Sequence, residues 1–209
     1  MQQNQVKDTI TFIENELINK IFEYFKTGQF QLTPMKILDL YSKVEIAADK
    51  GDFNCGNLID YFTQVIENYI IKCKKELIGE SKSNLIDGFL LHTKNIYFLI
   101  YWMIRVFTYL DCFYTKAIMK TTLSEIAMNL YKTNFYEEFK NNIQSEINNL
   151  KNEEKNGNEE LNLKIQNIMK ILEDVKLLHP KIVRDRKDPE KQIFWIEKEL
   201  FGRPNSSYY

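Results

Sequence analysis

The sequence is poor in the residues that interrupt helices. It contains only seven glycines and four prolines in 209 residues, and no proline lies between Pro34 and Pro180. A sheet protein of this size needs many turns built from glycine, proline or Asn-Gly pairs, so their scarcity excludes a β-rich fold and favours long helices. Apolar residues still make up 44% of the chain, which is enough to build a buried core.

The residues that usually carry covalent or metal chemistry are also scarce. The three cysteines, Cys55, Cys73 and Cys112, are an odd number without a close pair, which fits neither a disulfide framework nor a zinc site and indicates a reducing compartment. There are two histidines, and no phosphate-binding glycine loop, nucleophile elbow, zincin or calcium-loop spacing. We therefore expect no enzymatic activity, no metal, no organic cofactor and no small-molecule substrate.

Charge and hydropathy exclude two further classes of partner. The 28 basic side chains are balanced by 29 acidic ones, and the aromatic residues follow helical stripes instead of alternating with arginines, so nucleic-acid binding is not indicated. The longest apolar run, Ile96 to Ile104, is nine residues, whereas a membrane span needs about 20. The N-terminus lacks the pattern of a signal or transit peptide, so we expect a cytoplasmic protein without a membrane partner.

What the sequence does contain is helical periodicity, punctuated by capping signals. Gly28, the Thr33-Pro34 pair, Gly51, Gly79 and the capping-box spacing from Thr122 to Glu125 mark where helices begin or end. A loop is expected between Gly51 and Asn57, and a linker at HPKIVRDRKDP. The predicted fold is an all-α bundle of about seven to eight helices, at Thr9–Thr27, Pro34–Lys50, Asn57–Ile78, Leu85–Phe113, Thr121–Asn134, Phe135–Asn152, Glu159–Leu178 and Glu190–Phe201.

The fourth predicted helix has the broadest apolar surface. Two apolar rows cover much of its circumference, which predicts the most buried helix of the bundle. His92 falls within the main row, so we interpret it as a hydrogen-bonded core residue and not as a ligand or base. Cys112 is similarly expected to be a small buried packing residue. The main row is Leu85, Phe89, His92, Ile96, Leu99, Met103, Val106, Leu110 and Phe113.

The segment YWMIRVFTYLDCFYTKA, Tyr101 to Ala117, resembles the central helix of the first N-terminal repeat of the cullins. The family pattern runs roughly W-L-x-R-x-F-x-YLDR-x-Y. Three further segments are similar to neighbouring cullin segments and follow one another in the same order as in cullins: LDLYSKVEIAADKG, TTLSEIAMNLYKTNFY and INNLKNEEKNGNEELNLKIQNIMKILEDV. The segment WIEKELFGRPNSSYY resembles a later cullin segment more weakly. The residues that match the central pattern are Trp102, Arg105, Phe107, Tyr109, Leu110, Asp111 and Tyr114.

The resemblance implies a first cullin-like repeat over residues 1–156 and a partial second repeat over residues 157–209. It implies a non-catalytic scaffold that binds a POZ-fold adaptor, of the Skp or BTB class, through the second and fifth helices, here Pro34 to Lys50 and Thr121 to Asn134. The sequence has no counterpart of the globular part that recruits the RING-box protein, so we expect adaptor binding without assembly of a ubiquitin ligase. The alternative is a cullin-derived structural subunit of a large assembly with no ligase role. The second helix of the family has the pattern L-Y-x-x-V-Y, and this sequence has Glu45 in place of the second tyrosine, a departure that favours the alternative.

The resemblance also locates a candidate contact surface on these two helices. Spacings of three, four and seven place its members on single helix faces. Aromatic and methionine side chains suit an apolar groove on an adaptor. The competing interpretation is that Tyr41 and Tyr131 simply fill the core. The predicted partner-binding residues are Leu38, Tyr41, Ser42, Glu45, Ser124, Met128 and Tyr131.

Overall fold

The computed structural model describes residues 2–79 and 84–153, together with 165, 166 and 169. Over these residues all regular structure is helical and no strand occurs, which confirms the predicted all-α class. Six continuous helices are present in this part of the chain, three of which contain a π-helical segment. They are α1 (Gln2–Ile13, π-helical Glu14–Ile18, Asn19–Thr27), α2 (Pro34–Ala48), α3 (Asp52–Ile78), α4 (Leu85–Val106), α5 (Thr108–Leu110, π-helical Asp111–Met119) and α6 (Leu123–Tyr131, π-helical Lys132–Tyr136, Glu137–Glu153).

Helix ends follow the local signals in the sequence. Gly28 closes α1 in the left-handed conformation, with φ of 72°, where its N–H donates to the carbonyl of Tyr24 at 2.8 Å. Thr33 caps α2, because its Oγ1 accepts a hydrogen bond from the N–H of Lys36 at 3.3 Å and Pro34 supplies the first turn. The predicted end of the first helix and the predicted start of the second are confirmed, but α1 begins at Gln2 and not at the predicted Thr9.

The loop expected before Asn57 is wrong, because α3 begins at Asp52. Two side chains of its first turn bind the final carbonyls of α2: Asn54 Nδ2 donates to Ala47 O at 2.9 Å, and Cys55 Sγ donates to Ala48 O at 3.4 Å. Gly51 makes the turn with φ of 122°. Because these side chains satisfy the end of α2, the chain re-enters a helix within three residues, Asp49 to Gly51.

The long apolar stripe from Leu85 to Phe113 is divided between two helices. Every position from Ile96 to Ile104 is buried, as predicted, but α4 ends at Val106 and α5 leaves at a bend of 71°. The hydroxyl of Thr108 donates to the carbonyls of Ile104 and Arg105, at 2.9 and 3.0 Å, which satisfies the end of α4 as the chain turns. The prediction of one helix through Phe113 is therefore wrong beyond Val106; Leu110 is buried as predicted, but Phe113 is exposed.

The helices of the described residues differ from membrane-spanning helices in length and composition. None of these helices is by itself long and apolar enough to cross a membrane. The bent pair formed by α4 and α5 meets the requirements of length and composition only when its two members are taken together.

The predicted helices Thr121–Asn134 and Phe135–Asn152 are one helix, α6. The π-helical segment Lys132–Tyr136 joins them without a break. Several predictions lie outside the described residues: the boundary between residues 156 and 157, the linker at HPKIVRDRKDP, the terminal helix, and most of the helix from Glu159 to Leu178.

The chain divides into two compact units, and α3, α4 and α6 each contribute to both. The first unit is Met1–Tyr69 with Asn95–Ala127. Aromatic side chains form much of its core: Phe98 contacts Tyr24 and Phe30 with ring centroids 4.6 and 5.1 Å apart, and Phe30 also packs on Trp102 at 5.0 Å. Phe30 thus packs the connection between α1 and α2 against the buried part of α4.

The second unit contains the described residues of Ile70–Lys94 and those from Met128 onward. Phe135 stacks on Phe89 with ring centroids 5.5 Å apart, and the His92 ring meets Phe135 edge-on at 6.5 Å. The Nδ1 atom of His92 lies 3.9 Å from a carboxylate oxygen of Glu76. His92 is a buried residue, as the sequence predicted.

Candidate partner-binding surface

Helix α2 exposes apolar side chains that the core of its unit does not use. Met35, Leu38 and Ile46 are 68%, 55% and 52% exposed. With Ser42 between them, their spacings of three and four residues place all four side chains along one side of the helix. We call this set, Met35, Leu38, Ser42 and Ile46, the α2 surface. The opposite side is buried and consists of Leu40, Val44, Ala47 and Ala48.

The four predicted contact residues on α2 all reach solvent. Leu38 is exposed, while Tyr41, Ser42 and Glu45 are half-buried. Partial burial, followed by the nearby charges of Glu45, Cys112 and Asp49, raises the pKa of Tyr41. Tyr41 lies two helical turns before Asp49 on the flank of α2 that faces α5, because Asp49 accepts a hydrogen bond from Tyr109 of α5. Cys112, on α5, is half-buried instead of fully buried.

Tyr109 fixes α5 against the end of α2. Its hydroxyl donates to the carboxylate of Asp49, and this hydrogen bond, aided by partial desolvation and the negative charge of Asp49, raises the pKa of Tyr109 to about 12. The Tyr109 ring also packs on Phe113, with centroids 4.8 Å apart. Tyr109, which belongs to the segment that resembles the cullin pattern, thus sets the orientation of α5 beside α2.

Asp111, from the same motif, ties α5 to the start of α6. Its buried carboxylate accepts hydrogen bonds from the Leu123 N–H at 2.8 Å, from Lys116 Nζ at 2.8 Å and from Thr115 Oγ1 at 3.2 Å. The sequence identified Asp111 only as a motif residue and gave it no role. An acceptor 12 residues before the N–H that it binds leaves no local spacing pattern by which this role could have been found.

The first turn of α6 has the predicted capping box. Thr122 Oγ1 accepts from the Glu125 N–H at 3.0 Å, and a Glu125 carboxylate oxygen accepts from the Thr122 N–H at 2.8 Å. The backbone hydrogen bond from Thr122 is the main reason that the pKa of Glu125 lies below its usual value. The box holds the half-buried Ser124 in a defined turn of the first unit.

The other two predicted contact residues on α6 lie in the interior. Met128 is 1% exposed and Tyr131 is 0% exposed. The Tyr131 hydroxyl lies 2.9 Å from Thr93 Oγ1, and complete burial raises the pKa of Tyr131. The core interpretation therefore describes Tyr131 but not Tyr41. A buried hydrogen-bond partner for the hydroxyl, which is invisible in the sequence, is what lets this tyrosine fill the core.

The structure thus brings Leu38, Tyr41, Ser42 and Glu45 together on one accessible helix and fixes Ser124 in the same unit. Met128 and Tyr131 belong to the second unit. Binding of a partner by these residues stays a prediction. Among the residues that the structure describes, no group of three or more His, Cys, Asp or Glu side chains is placed to hold a metal ion.

Comparison with curated proteins and with solved structures finds no match. The sequence does match the family model for the cullin alpha solenoid domain, over residues 13–185. In cullins this repeat domain is a non-catalytic scaffold region that binds adaptor proteins. Because the match extends over most of the sequence, this chain belongs to the cullin family.

Proposed function

We propose that this chain is a non-catalytic scaffold that binds a POZ-fold adaptor, of the Skp or BTB type, through α2 and the first turn of α6. Membership of a family whose repeat domains bind adaptors supports the class of partner. The observation that carries the proposal is the α2 surface, because an apolar stripe that the protein's own core leaves exposed is typical of an interface.

The α2 surface is large enough to contribute substantially to binding. Full burial of a leucine, isoleucine or methionine stabilises a complex by about 1.5–3 kcal/mol. Met35, Leu38 and Ile46 are each already partly covered, so together they would contribute about 3–5 kcal/mol when a partner covers them. Tyr41, half-buried beside them, supplies an aromatic side chain of the kind that often anchors interfaces.

The test is the double variant Leu38→Ala with Tyr41→Ala. Binding of purified Skp-type and BTB-type adaptors is measured by titration calorimetry. Loss of one anchor costs about 2 kcal/mol and should weaken binding by about 30-fold, and loss of both should weaken it further. Neither side chain is fully buried, so the helical circular-dichroism spectrum should not change.

Leu91→Ala is the matched control, since Leu91 is 57% exposed and lies on α4. It should leave adaptor affinity unchanged. Unchanged affinity in the double variant would exclude α2 as the docking helix. Met128→Ala is unsuitable for this purpose, because truncating so buried a side chain destabilises the fold by about 2–5 kcal/mol and any loss of binding would follow from that.

A second candidate function is a structural subunit of a large assembly without a ligase role. The interior positions of Met128 and Tyr131 favour it, because they remove two apolar side chains from the surface expected of an adaptor-binding repeat. In that case no adaptor binds, and chemical cross-links from Lys43 and Lys50, which flank the α2 surface, join the chain to subunits of one large particle. Cross-links to an adaptor would instead support the first proposal.

A further inference from the structure

Exposed apolar side chains also lie around the corner where α2 leads into α3, and one of them, Ile46, belongs to the α2 surface as well. Phe53, in the first turn of α3, and Phe113, on α5, are each 65% exposed, and Ile46 on α2 is more than half exposed. Large aromatic side chains are seldom left this exposed unless they contact something.

Several contacts hold this corner in one arrangement. The hydrogen bonds from Asn54 and Cys55 to the last turn of α2 fix the start of α3, and with it Phe53. Tyr109 donates to Asp49 and packs on Phe113, which brings α5 to the same place. We call Ile46, Asp49, Asp52, Phe53 and Phe113 the corner surface.

The corner surface is negatively charged. From Glu45 to Phe53 the sequence carries three carboxylates, Glu45, Asp49 and Asp52, against the single ammonium group of Lys50. Asp49 and Asp52 are exposed. This negative charge affects the Cys55 thiol nearby. Burial raises the pKa of Cys55, and the charges of Asp52 and Asp49 raise it further.

We infer that the corner surface binds a basic segment of a protein partner, in which arginine or lysine lies beside apolar side chains. Exposed phenylalanine rings attract cations through their faces, and neighbouring carboxylates accept charge-assisted hydrogen bonds from guanidinium groups. The inference rests on the proposed function in one respect, since an adaptor docked on α2 would supply the segment. An acidic segment would meet like charge at Asp49 and Asp52, which disfavours it.

The probe is a synthetic helical peptide with leucines along one face and arginines along its borders, fluorescently labelled and titrated with the full chain. A control peptide carries glutamate in place of every arginine. We expect the arginine peptide to bind about tenfold or more tightly than the glutamate peptide at low salt, and its affinity to fall as salt screens the carboxylates.

Variants of the chain locate the binding. Asp49→Asn with Asp52→Asn removes two charges while keeping the side-chain shapes and an acceptor for Tyr109, and should weaken the arginine peptide about threefold to tenfold. The matched control, Asp8→Asn with Asp60→Asn, removes two exposed charges from α1 and from further along α3 and should change nothing. Phe53→Ala with Phe113→Ala should weaken binding of the arginine peptide as well.

Three results would overturn the inference: equal affinity for the two peptides, no binding of the arginine peptide, or equal weakening by the two double Asp→Asn variants, which would indicate attraction to overall charge alone. None of these results bears on adaptor capture by Leu38 and Tyr41, which is measured separately. Failure of the corner surface is thus distinguishable from failure of the proposed docking helix.

Discussion

The Asp111 carboxylate should stabilise the fold more than any surface carboxylate of this chain, and Asp111→Ala tests this. The substitution removes the acceptor for three donors, the backbone N–H of Leu123 and the side chains of Lys116 and Thr115. Alanine offers no replacement acceptor. The N–H at the start of α6 would then be buried without its partner.

The three donors differ in how much they lose. A hydrogen bond to a charged group contributes about 1.5–3 kcal/mol, and a buried donor left without an acceptor loses a similar amount. Lys116 is 37% exposed at its side chain and can be hydrated instead, so its ion pair adds less than about 1 kcal/mol. We therefore expect Asp111→Ala to lower the free energy of unfolding by about 2–4 kcal/mol. Asp111→Asn keeps one acceptor for Leu123 and should lose about half as much.

The free energy of unfolding is measured by urea titration, followed by circular dichroism. Asp39→Ala, at an exposed carboxylate on α2, is the control and should change it by less than about 0.5 kcal/mol. If Asp111→Ala is no more destabilising than this control, Asp111 does not join α5 to α6 in solution. An asparagine variant less stable than the alanine variant would equally refute the reasoning.

Two further predictions concern the hydrophobic core and the loss of stability at acidic pH. Leu99 on α4 is fully buried, so Leu99→Ala should lower the free energy of unfolding by about 2–5 kcal/mol in urea titrations, and a loss under about 0.5 kcal/mol would contradict its burial. The Thr122 hydrogen bonds lower the pKa of Glu125 in the folded state. The contribution of this carboxylate to the free energy of unfolding is therefore complete above its ordinary pKa of 4.5, and it is lost as the pH falls through the lower pKa of the folded state. Glu125→Gln should make the free energy of unfolding less dependent on pH in that window. If this free energy falls with acid equally in the variant and the unaltered chain, the capping carboxylate contributes little.

The helical class and most helix boundaries could be predicted because they depend on local signals. Gly28, the Thr33-Pro34 pair and the Thr122 capping box act within one turn of themselves. The error at the start of α3 arises because distant groups complete a helix end. The side chains of Asn54 and Cys55 reach carbonyls seven residues earlier, which no helix-forming pattern reveals. The division of the long stripe at Phe107 is hidden for a related reason, since apolar spacing alone cannot distinguish one helix from two that bend.

The candidate surface was predicted in part. Periodicity identified which residues share a face of α2, but it cannot show which face a neighbouring helix covers. Leu38 is exposed because the core uses the opposite side of α2, whereas Tyr131 is buried because Thr93 offers its hydroxyl a partner. Met35, Ile46, Phe53 and Phe113 were not predicted to be surface residues, because an exposed apolar side chain has the same sequence signal as a core one.

The π-helical segments affect how the chain tolerates changes in length. A π turn holds one residue more than an α turn, so each such turn rotates the following helix by about 100° relative to an unbroken α-helix. In α6, deleting one residue from Lys132–Tyr136 would restore regular α-helix, and because one residue of α-helix accounts for the same rotation of about 100°, Phe139 and Ile143 would still face the core they now occupy. Within a cullin repeat, a one-residue insertion or deletion can therefore be absorbed at such a position by exchange between an α turn and a π turn, without changing which side chains of the following helix face inward.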